Sequence, residues 1–125
     1  MANKTAMSYK DILAMQPLAF IAYLEQFKVN VSCHVESRDE MYAAGNNLGK
    51  IANQYSFLTS LYAMAGVMKR ELQRSGQTWE YQDMIDKEDA IERAMKAVDM
   101  SYRALSKAIT IHIENNKELY MTDGK

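Results

Sequence analysis

One cysteine and two histidines, Cys33, His34 and His112, are the candidates around which nucleophilic or metal chemistry could be built. A carboxylate-bridged di-metal site in a helical protein needs Glu-x-x-His on each of two helices, so that both ligands face one point. Here Val31 and Ile109 stand where those glutamates belong. Cys33-His34 has no second Cys or His at the spacing that closes a tetrahedral zinc site. A nucleophilic dyad would have to join Cys33 to His112, with no third group to orient the base. Gly45, Gly49, Gly66 and Gly76 form no phosphate-cradling loop. The expectation is a protein without catalytic residues, metal or cofactor, hence not an enzyme.

Recognition chemistry has more material. Arg93, Lys96, Arg103 and Lys107 recur at helical spacing and offer a stripe able to track a phosphate backbone. Asp89, Glu92 and Asp99 each stand four residues before one of those cations, the favourable order for intrahelical ion pairs. That pattern predicts a largely self-neutralised face, so nucleic-acid binding is the alternative reading. The total agrees, with 15 basic and 16 acidic residues and a formal charge of -1. A protein-binding anchor is the leading reading instead. Trp79, Tyr81 and Met84 cluster beside a predicted turn, where exposed aromatics serve either as hot spots or as a cap on the end of a bundle.

These residues must be positioned by helices. One proline and five glycines in 125 residues leave too few turns for a strand-rich domain. Ser8 with Asp11 predicts a short N-terminal turn over 8–15. Pro17 suits the first turn of a helix over about 17–28, with Leu18, Ile21, Leu24 and Phe27 as its apolar stripe, widened by Phe20 and Tyr23. The β-branched stretch from Val29 to Val35 is ambiguous between frayed helix and extended connector, with frayed helix slightly favoured. Ser37 and Glu40 form a capping box for a second helix over about 38–74.

That second helix carries two heptad rows: Met41, Leu48, Tyr55, Tyr62, Lys69, and Ala44, Ile51, Leu58, Ala65, Leu72. They run in register through Gly45-Asn46-Asn47, which predicts an uninterrupted helix. Gly49 and Gly66 read as points of close helix approach. Ser75-Gly76 ends the helix, and a third runs over about 78–120 with the seam Ile91, Val98, Leu105, His112, Leu119. Met95, Tyr102, Ile109 and Asn116 lie beside that seam. The short turn forces antiparallel packing, which sets Tyr55 near Val98 and Tyr62 near Ile91. Lys69 then falls near Glu80 and Asp83. His112 and Asn116, polar residues in an apolar seam, read as register-setting, with a pH-sensitive interface as the lesser possibility for His112.

The expected fold is all-α, a single domain over 1–125: a long antiparallel helical hairpin with a shorter N-terminal helix packed on it, coiled-coil-like. At 1.5 Å per residue the hairpin is roughly 50 to 60 Å long, more than the N-terminal helix covers, so a homodimer is expected. The lone Cys33 fits a reducing compartment, and the stretch from Leu18 to Leu24 is too short to span a bilayer, so the expected location is the cytoplasm.

In length, helical hairpin and polar tail (Glu114-Asn115-Asn116-Lys117-Glu118), the chain resembles the short helical accessory proteins of bacteriophages. The resemblance implies action by binding, on host machinery such as an immune effector or in phage DNA metabolism, and assigns no residue a role.

Overall fold

A computed structural model describes residues 7–27 and 32–121, and among these no strand occurs. Five α-helices follow in order: α1 Tyr9–Leu13, α2 Pro17–Leu24, α3 Arg38–Arg74, α4 Thr78–Asn115 and α5 Lys117–Met121, with a 3₁₀ turn, Glu25–Phe27, after α2.

The long helices α3 and α4 pack against each other. Ala44, Ile51, Leu58 and Ala65 of α3 and Ile91, Val98 and Leu105 of α4 are buried between them, as the heptads predict. Both halves of the Ser37–Glu40 capping box form, and α3 is unbroken through Gly45-Asn46-Asn47. Its far end closes in a Schellman motif. Gly76 takes φ 75°, Gln77 N–H donates to Leu72 O at 3.1 Å, and Gly76 N–H donates to Gln73 O at 3.2 Å.

The N-terminal segment covers one side of this hairpin. Ser8 caps α1, accepting from Asp11 N–H at 3.1 Å, and Ile12 and Leu13 are fully buried. The Phe27 ring stacks on Phe57 of α3 at 5.7 Å, and Tyr9 meets the same ring at 5.4 Å. Leu61, between Phe57 and Ala65, is buried here too.

Several expectations need correction. The α-helical part of 17–28 ends at Leu24, and its buried face is Phe20, Leu24 and Phe27, whereas Leu18 and Ile21 are exposed. With so short a helix only one narrow strip reaches the hairpin. Val29, Asn30 and Val31 lie outside the described residues, but 32–36 are neither helix nor strand, against the preference for frayed helix. Ser32 Oγ accepts His34 N–H at 3.2 Å, a local bond that competes with a helical ladder.

The helix expected to reach 120 stops at Asn115. Asn116 leaves helical geometry (φ -135°, ψ 41°), α5 is a separate short helix, and Leu119 in it is exposed. Tyr55 also proves exposed, on the flank of the seam. At Gly49 a Cβ would meet nothing within 4 Å, so no close helix approach depends on this glycine. At Gly66 a Cβ would meet Glu88 Oε2 at 3.5 Å, an ordinary van der Waals contact, so this position does not require glycine either.

Candidate protein-binding groove

The site builds from a buried cation that the sequence reading missed. Lys87 is only 4% exposed. Its ammonium donates to Leu13 O at 2.8 Å and to Met15 O at 2.6 Å, and pairs with Asp83 at 2.7 Å. Those three bonds use all three of its N–H groups. The charge also lies 5.5 Å over the Phe20 ring. Carbonyls left unpaired at the end of α1 thus meet a cation from α4, and the turn between α1 and α2 is pinned to the hairpin. A signal is present in the sequence: Lys87 stands three residues after Met84 and four before Ile91, the spacing of the buried side of α4, with an acid four residues before it.

The pinned turn forms one wall of an open groove of about 520 Å³ near the hairpin tip. Met15 and Pro17 line that wall, Met68 and Leu72 of α3 line another side, and Trp79, Glu80, Asp83 and Met84 come from the first turns of α4. Trp79 is 86% exposed, with its large apolar ring in water at the groove's edge. An aromatic of that size normally buries most of its surface, so this exposure is unusual.

The three residues read as an anchor therefore separate. Trp79 stands at the edge and Met84 is buried beneath the groove. Tyr81 is half-buried on another side of α4, near Lys69. Lys69 pairs with Glu88 at 2.8 Å, about two turns from the expected Glu80 and one from Asp83, which is occupied by Lys87. The hydrogen bond with Glu88 is the main cause that raises the Lys69 pKa above the ordinary lysine value.

The basic stripe is partly neutralised. Lys96 lies 3.7 Å from Glu92, and Arg103 Nε donates to Asp99 at 2.8 Å. Arg93 borders a shallow hollow with Ile21, Glu25 and Phe27, and Lys107 is exposed.

At the other end of the hairpin, His112 is buried. Asn116 Nδ2 donates to His112 O at 2.9 Å and faces Nδ1 at 3.3 Å. Nδ1 is then the acceptor, which leaves Nε2–H to donate to Tyr120 Oη at 2.7 Å. The Arg38 guanidinium covers the outer face of the Tyr120 ring at 5.6 Å. The two polar seam residues thus turn the chain and fasten α5. Cys33 and His112 border one hollow, but both imidazole nitrogens are engaged, so this ring has none free to accept a thiol proton. Among the described residues no three His, Cys, Asp or Glu side chains are grouped to hold a metal ion, and no helix is long and apolar enough to cross a membrane.

Comparison with protein-family models, with curated proteins and with solved structures finds no match to this chain.

Proposed function

We propose that this chain is a non-enzymatic protein-binding module, a small three-helix scaffold that occupies a surface of another protein with the groove at its hairpin tip. The observation that carries this reading is Trp79, a fully presented aromatic at the edge of a preformed apolar groove. Binding sites are concave, mostly apolar and rigidly supported, and tryptophan is the residue most often decisive at protein interfaces. The supports are rigid: one wall is held by the Lys87 bonds and the other by the packed hairpin.

The fitting partner is an apolar segment of a folded or extended protein that carries a basic residue beside its apolar anchor. Glu80 and Asp83 line the groove, and Lys87, the only cation lining it among the described residues, is already committed. A bacteriophage accessory protein acting on a host protein such as an immune effector fits this mode of action. Nucleic acid fits less well, because two of the four cations of the basic stripe, Lys96 and Arg103, are held by carboxylates of the same helix.

Affinity capture from nuclease-treated bacterial lysate tests the reading. A defined protein should be retained, and Trp79→Ala should weaken its binding by on the order of 30-fold, the effect of truncating a central aromatic anchor. Charge reversal at Arg93, Lys96, Arg103 and Lys107 should change it little. Capture that needs nucleic acid, falls steeply with salt and survives Trp79→Ala would overturn the proposal.

A further inference from the structure

Far from the Trp79 groove, the other end of the hairpin holds a buried titratable ring. His112 is 3% exposed, and both ring nitrogens and its carbonyl are engaged. These contacts fix where its proton sits. A backbone carbonyl can only accept, so the Asn116 atom 2.9 Å from His112 O is the amide nitrogen. The same nitrogen lies 3.3 Å from Nδ1, which is therefore the unprotonated, accepting nitrogen. The single ring proton stays on Nε2 and goes to Tyr120 Oη at 2.7 Å. Of the five residues of α5 only Tyr120 is even half-buried, so this bond is central to how the short helix docks. Asn116, outside helical geometry, stands where α5 would swing.

A second proton would have to enter at Nδ1. The new N–H would then face the Asn116 amide group, donor against donor. Turning the amide over would set its oxygen against His112 O, acceptor against acceptor. The elements around the ring offer the new charge no partner. Tyr120 and Glu118 come from α5, and Glu118 is engaged elsewhere. From α3 come Arg38, a cation 5.6 Å over the Tyr120 ring, and Glu40, bonded to the Glu36 and Ser37 N–H groups. Cys33, His34 and Glu36 border the same hollow as His112, with Glu36 paired to His34 at 3.3 Å. A buried charge left without a counter-ion is costly, and exposing it relieves that cost. We infer that α5 is a proton-sensitive latch, docked while His112 carries one proton and released when the ring takes up a second. The proton thus binds the released form. A solvated imidazole gains it near pH 6.5, so docking is complete above that value and is lost as the pH falls below it. At pH 5 the ratio of released to docked α5 should be about 30-fold above that at pH 8.

Amide hydrogen exchange of Lys117–Met121, expressed as protection over the unstructured-chain rate at each pH, is the test. In the full wild-type chain that protection should fall by about 30-fold between pH 8 and pH 5, while the amides of Ile91 and Val98 stay protected. His112→Gln, which cannot take up the proton, should abolish the response, and His34→Gln, at an exposed side chain, should leave it unchanged. Equal protection of α5 at both pH values would overturn the inference. So would a response that His112→Gln retains or His34→Gln removes, or a loss that the hairpin core shares. Should His112→Gln fail to dock α5 at either pH, nuclear magnetic resonance of the wild-type chain decides. The His112 ring and the α5 amides should then titrate with one midpoint, and separate midpoints would overturn the inference.

Discussion

Replacing Lys87 by methionine removes one buried charge while keeping the length of the stem. In the wild-type chain the ammonium satisfies Leu13 O, Met15 O and the Asp83 carboxylate. Bonds from a charged donor are worth about 1.5–3 kcal/mol each, and a buried acceptor left alone costs about 1–3 kcal/mol. Asp83 is about one-third exposed and can rehydrate, so its loss counts for little. Methionine also recovers some apolar burial. The net destabilisation should be about 3 kcal/mol. For a domain of 125 residues, with an unfolding entropy of about 2.1 cal/mol/K per residue, that lowers Tm by about 10 °C. Thermal melts followed at 222 nm give the global effect. Hydrogen exchange of the α1 and α2 amides gives the local one, and protection there should fall first because Lys87 pins that segment. Lys87→Met within 1 kcal/mol of wild type, with α1 and α2 equally protected, would refute the idea that this cation fastens the groove wall.

Other substitutions test the framework. Gly45→Ala and Gly49→Ala, both in the interior of α3 with open space beside them, should each stabilise by about 0.5–1 kcal/mol in chemical denaturation. Leu58→Asp or Leu105→Asp, at fully buried seam positions, should destabilise by several kcal/mol, whereas a mild effect would mean the seam is wet. The Glu40 pKa is held below the ordinary glutamate value, first by the backbone bond at Glu36, then by the charge of the nearby His34 and the bonds at Ser37. A lowered folded-state pKa stabilises above the unfolded-state value and loses that stabilisation as the pH falls through the folded one. Glu40→Gln should therefore flatten the acid limb of the stability curve, read from denaturation midpoints between neutral and acid pH.

The long helices were legible because two local signals agreed along their whole length. The heptad rows through Ile51, Leu58, Ile91 and Val98 match the buried set, and Ser37, Glu40 and Gly76 mark ends that the backbone respects. What escaped were outcomes decided by tertiary contact. Lys87 was missed because its spacing from Met84 and Ile91 does not reveal the two carbonyls of a distant turn. The break at Asn116 depends on a side chain that bonds its own helix at His112 O, and nothing in the heptad pattern weighs that bond against the ladder. Leu18 and Ile21 fit a helical stripe, but eight residues of α2 present only one edge to the hairpin. The anchor cluster was read from proximity in sequence. Helical geometry instead sends Trp79, Tyr81 and Met84 in different directions, and only Trp79 remains presented.

Trp79 is the chain's single tryptophan, so its emission reports on the groove alone. The most direct test of protein binding through this groove is a titration of that emission with the purified captured protein and, separately, with single- and double-stranded DNA. Burial of the ring should give a saturable shift to shorter wavelength with the protein, reached at similar concentrations in low and moderate salt, and no saturable shift with DNA. An emission that stays at its solvent-exposed position while the protein demonstrably binds, or a saturable shift with DNA alone that fades as salt rises, would contradict the account.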